Sequence, residues 1–174
     1  MQSQSLFSRG HGFALTYAAL TFILSLTALP SLAHEAPCPY CTMTVTQDTA
    51  TQDNEVALKI GRKRIEYKCV YCALADAKTA YQGDLTILAP SEKKDAPVKL
   101  QRASGKWSVV AAADAPAAAF VLVQPLQHKV CDQRARAFTS TEAAQKYLDD
   151  NKATLGDAKP LSLTALVALV DAPK

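Results

Sequence analysis

Apolar and polar positions alternate at strand-like spacing from Glu55 to Ile60 and from Arg64 to Lys68, on either side of a Gly-Arg-Lys-Arg turn signal. The period changes at Cys69. Val70, Leu74, Ala77 and Tyr81 fall at helical intervals, and Gly83 closes that segment. "DLTILAP" reads as a buried strand, and "VKLQRASGKWSVVAA" as two strands about a Ser104-Gly105 turn. The Ala-rich stretch with Pro116 reads as a connector, "AFVLV" as a strand, "LQHKVCDQR" as a loop and "ARAF" as a last strand. Thr139 and Glu142 stand at capping-box spacing before an amphipathic helix through Ala143, Tyr147 and Leu148. After Pro160, "LSLTALVALV" fits a short buried helix, with a strand as the alternative.

Strands, helix, strands, helix is the order of an α+β fold. The expectation is one domain of two similar strand-strand-helix halves. The halves echo each other weakly: "EYKCVYC" and "RAFTSTEAA" each place an aromatic residue before a helix, and each helix ends near a Gly-Asp pair.

The first 33 residues have a different character. Arg9 precedes the apolar run "FALTYAALTFILSLTALP", and Ser31-Leu32-Ala33 ends it with small residues where a signal peptidase reads. Residues 1–33 are therefore expected to be a signal peptide cleaved after Ala33, leaving 34–174 as a periplasmic or secreted domain without a stable membrane anchor. The charge adds little. There are 19 Lys and Arg against 16 Asp and Glu, with no long basic run, so nucleic acid is not expected as a partner. No Ser/His/Asp set, phosphate loop or paired carboxylate motif is visible, and no enzymatic activity is expected.

The five cysteines do change the picture. Cys38-Pro-Tyr-Cys41 and Cys69-Val-Tyr-Cys72 have spacing that suits one metal ion or a tight disulfide. One reading is a glutaredoxin-like dithiol oxidoreductase, but residues 38–41 have no predicted strand before them and no helix after them. Another is a small exported domain held by disulfides or by structural zinc. In a third, "TMTVT" is a strand, so Cys41 and Met43 share a face and offer a thiolate and a thioether to Cu(I). His128 and Cys131 lie close together in their loop and are candidate further ligands. His34 would head the cleaved chain, where its amine and imidazole together suit Cu(II).

Cys41-Thr42-Met43-Thr44-Val45, "YKCVYCAL" and the run from "AAFVLVQP" to "RAFTSTEAAQKYL" resemble the NosL-type copper-binding accessory proteins, over roughly residues 38–155. The family's fold is similar to the organomercurial lyase domain, with paired strand-strand-helix modules. The resemblance implies an envelope copper chaperone that carries Cu(I) to a client cuproprotein such as nitrous oxide reductase, with Cys41 and Met43 as ligands. The family's usual glycine is Thr42 here, its lipoprotein cysteine is absent, and its Gly/Met-rich loop is replaced by "HKVCDQR". The remaining expectation is spatial. Cys38, Cys41, Cys69 and Cys72 should converge at one end of the sheet beside Met43, and Cys131 should close over them if it is a fifth sulfur ligand.

Overall fold

A computed structural model describes residues 35–46, 56–94, 96–110, 118–125 and 133–172. The expected signal peptide, His34, the Pro116 connector, His128 and Cys131 lie outside the described residues.

The described chain is a small mixed α+β domain. Strands β1 (Glu35–Pro37) and β2 (Thr44–Thr46) form a short antiparallel pair. Strands β3 (Val56–Ile60), β4 (Lys63–Tyr67), β5 (Leu85–Ala89), β6 (Val98–Ala103) and β7 (Lys106–Val110) form an antiparallel sheet in the order β4-β3-β5-β6-β7. Between β4 and β5 runs helix α1 (Val70–Ala80). A second hairpin, β8 (Ala119–Pro125) and β9 (Gln133–Phe138), leads to α2 (Thr141–Asp150), α3 (Lys152–Leu155) and α4 (Leu163–Asp171). No helix among the described residues is long and apolar enough to cross a membrane.

Local sequence explains the sheet. The β6–β7 turn places both Ser104 and Gly105 at positive φ, 49° and 76°. Glycine takes that region without steric cost. Along β5 and β6, buried positions alternate with more exposed ones, so Leu85, Ile87 and Ala89 share a face with Val98, Leu100 and Arg102. The edge strand β4 is guarded by exposed Lys63 and Arg64.

Helix α1 organises the core. Val70, Tyr71, Cys72, Ala73, Leu74, Ala75 and Ala77 are all buried, and the helix packs against β3, β4, β5, β9 and α4. Its alanines let those neighbours approach closely. Buried Tyr67 on β4 donates its hydroxyl to Asp76 at 2.6 Å. Burial and this hydrogen bond together push the phenol pKa far above its ordinary value. At the other end Arg102, 8 % exposed, donates to three carbonyls: Ala77 at 2.6 Å, Tyr81 at 2.8 Å and Gly83 at 3.0 Å. These groups lie in and just beyond the last turn, where helix carbonyls lack intrahelical partners and a cation is favoured. The Arg102 guanidinium also lies over the Trp107 ring, 5.7 Å from its centroid.

Two local expectations change. Ser140, not Thr139, caps α2, accepting from the Ala143 N–H at 3.2 Å. Thr139 is diverted by Glu92, a partner remote in sequence. That carboxylate accepts the Thr139 N–H at 3.0 Å and also its hydroxyl. The "LSLTALVALV" segment is a helix, but only Leu166 is fully buried. Leu161 just before it forms an antiparallel bridge with Phe120.

The carbonyl clamp should dominate local stability. Replacing Arg102 with Met keeps much of the apolar stem and leaves three carbonyls without their donor. Urea unfolding should show a loss of about 3 kcal/mol, the scale of charged hydrogen bonds to buried groups. Arg102→Lys should recover only part of that, because an ammonium cannot span the three acceptors as a guanidinium does. A loss below about 0.5 kcal/mol, the scale of an ordinary surface substitution, would show that the clamp contributes little.

Candidate metal centre

The loop between β1 and β2 carries the first cysteine pair. The Cys38 N–H donates to the Met43 carbonyl at 2.9 Å, and the Thr42 N–H to the Cys38 carbonyl at 2.8 Å. These bonds fold residues 38–43 into a tight turn above the Pro37–Thr44 register pair. Thr42 sits at φ 60°, in the left-handed region, and its hydroxyl donates to the Cys41 carbonyl at 2.7 Å. The expectation of a strand through Cys41 and Met43 is thereby corrected, and its same-face geometry does not apply. The left-handed turn also gives a physical reason for a glycine at this position. A three-residue strand, β1, does precede Cys38, contrary to the sequence reading. After Cys41 the chain enters a turn and then β2, so the motif is a hairpin loop rather than a helix start.

The second pair opens α1. Cys69 is the N-cap, in extended backbone, and its carbonyl accepts the Ala73 N–H at 3.2 Å. Cys72 is the third helical residue. One turn of helix brings positions three apart onto one face, and the Cys69 thiol donates to the Cys72 sulfur at 3.5 Å.

The two motifs meet. The sulfurs of Cys38, Cys41 and Cys72 all lie within 4.8 Å of one another, and Cys69 adjoins them through Cys72. None of the four cysteines is more than 3 % exposed, and none of them is joined in a disulfide. A tetrahedral ion with metal–sulfur bonds of about 2.3 Å needs sulfurs about 3.8 Å apart, so the donor set fits one metal ion. Tyr40 and Tyr71, each beside a cysteine of its own motif, meet edge-on at 6.5 Å. Lys68 donates to the Thr44 carbonyl at 2.8 Å and ties β2 to the residue before Cys69. Met43 is partly buried and packs against the core cluster that contains the four cysteines.

Of the sequence-predicted ligands, the structure thus gathers Cys38, Cys41, Cys72 and Cys69, with Met43 on the same loop. His128 and Cys131 lie outside the described residues. Sequence reasoning missed the Lys68 tether and the tyrosine contact. Neither leaves a spacing signal, since each joins residues from different elements.

The electrostatics are asymmetric. The Cys38 thiol is pulled down to about 5, first by the hydrogen bond from Cys72, then by the backbone N–H groups of Lys68, Cys41 and Tyr40, against the opposing effect of burial. Burial, reinforced by the charge on Cys38, pushes Cys41 up. In the metal-free reduced protein Cys38 is therefore a thiolate at neutral pH and Cys41 a thiol. Only the thiolate binds a metal, so one ligand is ready and Cys41 must release a proton as the ion enters.

No protein-family model matches the chain, and comparison with curated proteins gives no match.

Two measurements check this geometry. In metal-free reduced protein, ultraviolet thiolate absorbance should first appear with a midpoint near pH 5, for one thiol. Because folding lowers that pKa, stability should rise as pH climbs from about 5 toward the ordinary thiol value. Above it the raised Cys41 reverses the slope. A flat thiolate signal below pH 7 would remove Cys38 as the ready ligand. Separately, Thr42→Gly should stabilise the protein by about 1 kcal/mol, since a β-branched residue is strained at positive φ. A loss of stability in urea unfolding would mean that the threonine hydroxyl outweighs the strain.

Proposed function

We propose that this protein is an exported carrier of Cu(I), of the NosL type, that passes the ion to a client cuproprotein such as nitrous oxide reductase. One observation carries the reading: the Cys38, Cys41 and Cys72 sulfurs lie within 4.8 Å, on a framework that also presents Cys69 and, two residues after Cys41, Met43. Thiolates and thioethers select soft ions, Cu(I) above all. Supporting the family reading, β3-β4-α1 and β8-β9-α2 are each a hairpin followed by a helix, as paired strand-strand-helix modules require. The signal-like segment 1–33 agrees with work in the cell envelope, where copper enzymes are loaded. Copper is cargo here, and no reaction is assigned.

Transfer needs a site that can open. Cys69 and Cys72 stand at the start of α1, whose first two turns are buried; Cys38, Cys41 and Met43 stand on a hairpin of three-residue strands. A two-stranded hairpin has little stability of its own. Displacing it uncovers Cys38 and Cys41 for a competing ligand and leaves the main sheet intact.

A second reading has its own support. With every sulfur almost completely buried, the centre is closed, as structural zinc sites are. Copper and zinc are distinguished by the thioether, a good Cu(I) ligand and a poor Zn(II) ligand.

Reduced, metal-free protein should withdraw Cu(I) from a competing chelator under anaerobic conditions. Met43→Leu should weaken copper binding at least tenfold, leave zinc affinity unchanged and cost less than ~1.5 kcal/mol of stability, because the swap nearly conserves volume. Failure to withdraw copper, together with zinc that resists chelation, would establish the structural-zinc reading. Unchanged copper affinity with lowered stability would make Met43 a core residue only.

A further inference from the structure

The four cysteine sulfurs are not equivalent. Those of Cys38, Cys41 and Cys72 form a compact trio, all within 4.8 Å of one another. Cys69 is not a member of that trio, and its thiol reaches the Cys72 sulfur at 3.5 Å. Cys72 also hydrogen-bonds to Cys38 and lies against Cys41. It is therefore the hub of the centre: its sulfur adjoins each of the other three, and the residue is completely buried.

A regular tetrahedral site would treat the four sulfurs alike. The trio is already complete for Cu(I), which, unlike Zn(II), is satisfied by linear or trigonal coordination. Three sulfurs around a trigonal ion with bonds of about 2.3 Å stand about 4 Å apart, inside the observed spacing. Cys69 then falls outside the shell of that ion, although it is buried at the start of α1 and touches the hub.

Charge points the same way. Four thiolates around one monovalent ion leave three negative charges in a centre where no cysteine is more than 3 % exposed. Burying uncompensated charge is costly. A second monovalent ion lowers the excess to two, the net charge that four thiolates keep around one Zn(II) in closed structural sites. A thiolate sulfur has lone pairs enough to bridge two ions, and the sulfur placed to do so is the one that adjoins the other three. The competing arrangement is a single ion on the trio with Cys69 still protonated.

We propose that the centre holds two Cu(I) ions that share the Cys72 sulfur, the first completed by Cys38 and Cys41 and the second by Cys69. Each thiol that becomes a ligand releases its proton to solvent as its ion enters. The proposal rests on the copper reading of the centre and adds a second metal site to it. The cargo per protein is then two ions, one of them bound entirely by α1 and the other shared with the displaceable β1–β2 hairpin.

The test is anaerobic titration of the reduced, metal-free protein with Cu(I) held by a competing chelator. Native mass spectrometry reads the number of ions per chain, and X-ray absorption at the copper edge reads whether two ions are neighbours. Two ions per chain and a copper–copper scattering contribution are expected. Cys69→Ser should lower the count to one and remove that contribution. Serine is a favoured N-cap, so this variant should fold; circular dichroism melting checks it, and the absorption spectrum of the unsubstituted protein decides the matter without it. A plateau at one ion per chain would overturn the proposal and leave the copper carrier standing. Two ions without copper–copper scattering, or two ions retained in folded Cys69→Ser, would place the second ion elsewhere and overturn it as well. Failure to withdraw any copper from the chelator would remove both the second site and the carrier reading.

Discussion

Everything near the sulfur cluster depends on the burial of α1. A helix enclosed by a sheet, a second hairpin and another helix has little room to shift along its axis, so the position of its first turn is set by contacts along its length. Arg102 fixes the carbonyl end from β6, and the Tyr67–Asp76 hydrogen bond fixes the middle from β4. With those in place Cys69 and Cys72 occupy a defined position beside the end of β4, and the short β1–β2 hairpin brings Cys38 and Cys41 to meet them. The centre is thus built from one rigid half and one weakly supported half. That difference would let a metal ion strengthen the attachment of β1–β2 to the body of the protein, and would let a partner reach the ion by displacing the hairpin.

The sequence reveals α1 because its signals are local and agree: helical spacing from Val70 to Tyr81, a closing Gly83, and cysteines three apart at its start. The turn pairs around Gly61 and Ser104-Gly105 are legible for the same reason. Legibility ends where a distant residue decides. Thr139 has good capping spacing, yet Glu92 takes both its N–H and its hydroxyl, and Ser140 becomes the cap. Arg102 sits in an alternating strand where it reads as an ordinary polar residue, and only the sheet register brings it beneath the end of α1. Strand β1 is too short to carry a pattern and exists through its pairing with β2.

The candidate site divides along the same line. Two motifs of the same spacing suggest a shared ion, and the spacing is visible. The left-handed backbone at Thr42 is not, because threonine normally argues for a strand there. Reading "TMTVT" as extended places Cys41 and Met43 on one face. The fold instead reverses the chain between them, and the sulfur of Cys41 joins Cys38 and Cys72. The local preference for extended structure loses to the two backbone hydrogen bonds that close the loop, Cys38 to Met43 and Thr42 to Cys38.

The choice of cysteine at the start of α1 has a cost that the metal reading explains. An N-cap side chain of Ser, Thr, Asp or Asn would accept a hydrogen bond from the first turn, worth about 1 kcal/mol. Cys69 holds that position without such a bond, and its thiol turns to Cys72 instead. A buried sulfur there contributes little to helix stability and is a poor substitute for a capping oxygen. With a cation bound among the four sulfurs, the balance reverses. The thiolates would bring negative charge to the positive end of the helix, where backbone N–H groups and the dipole favour it. The Cys38 thiol, held low by the hydrogen bond from Cys72 and by the backbone N–H groups of Lys68, Cys41 and Tyr40, already favours the thiolate before any ion arrives.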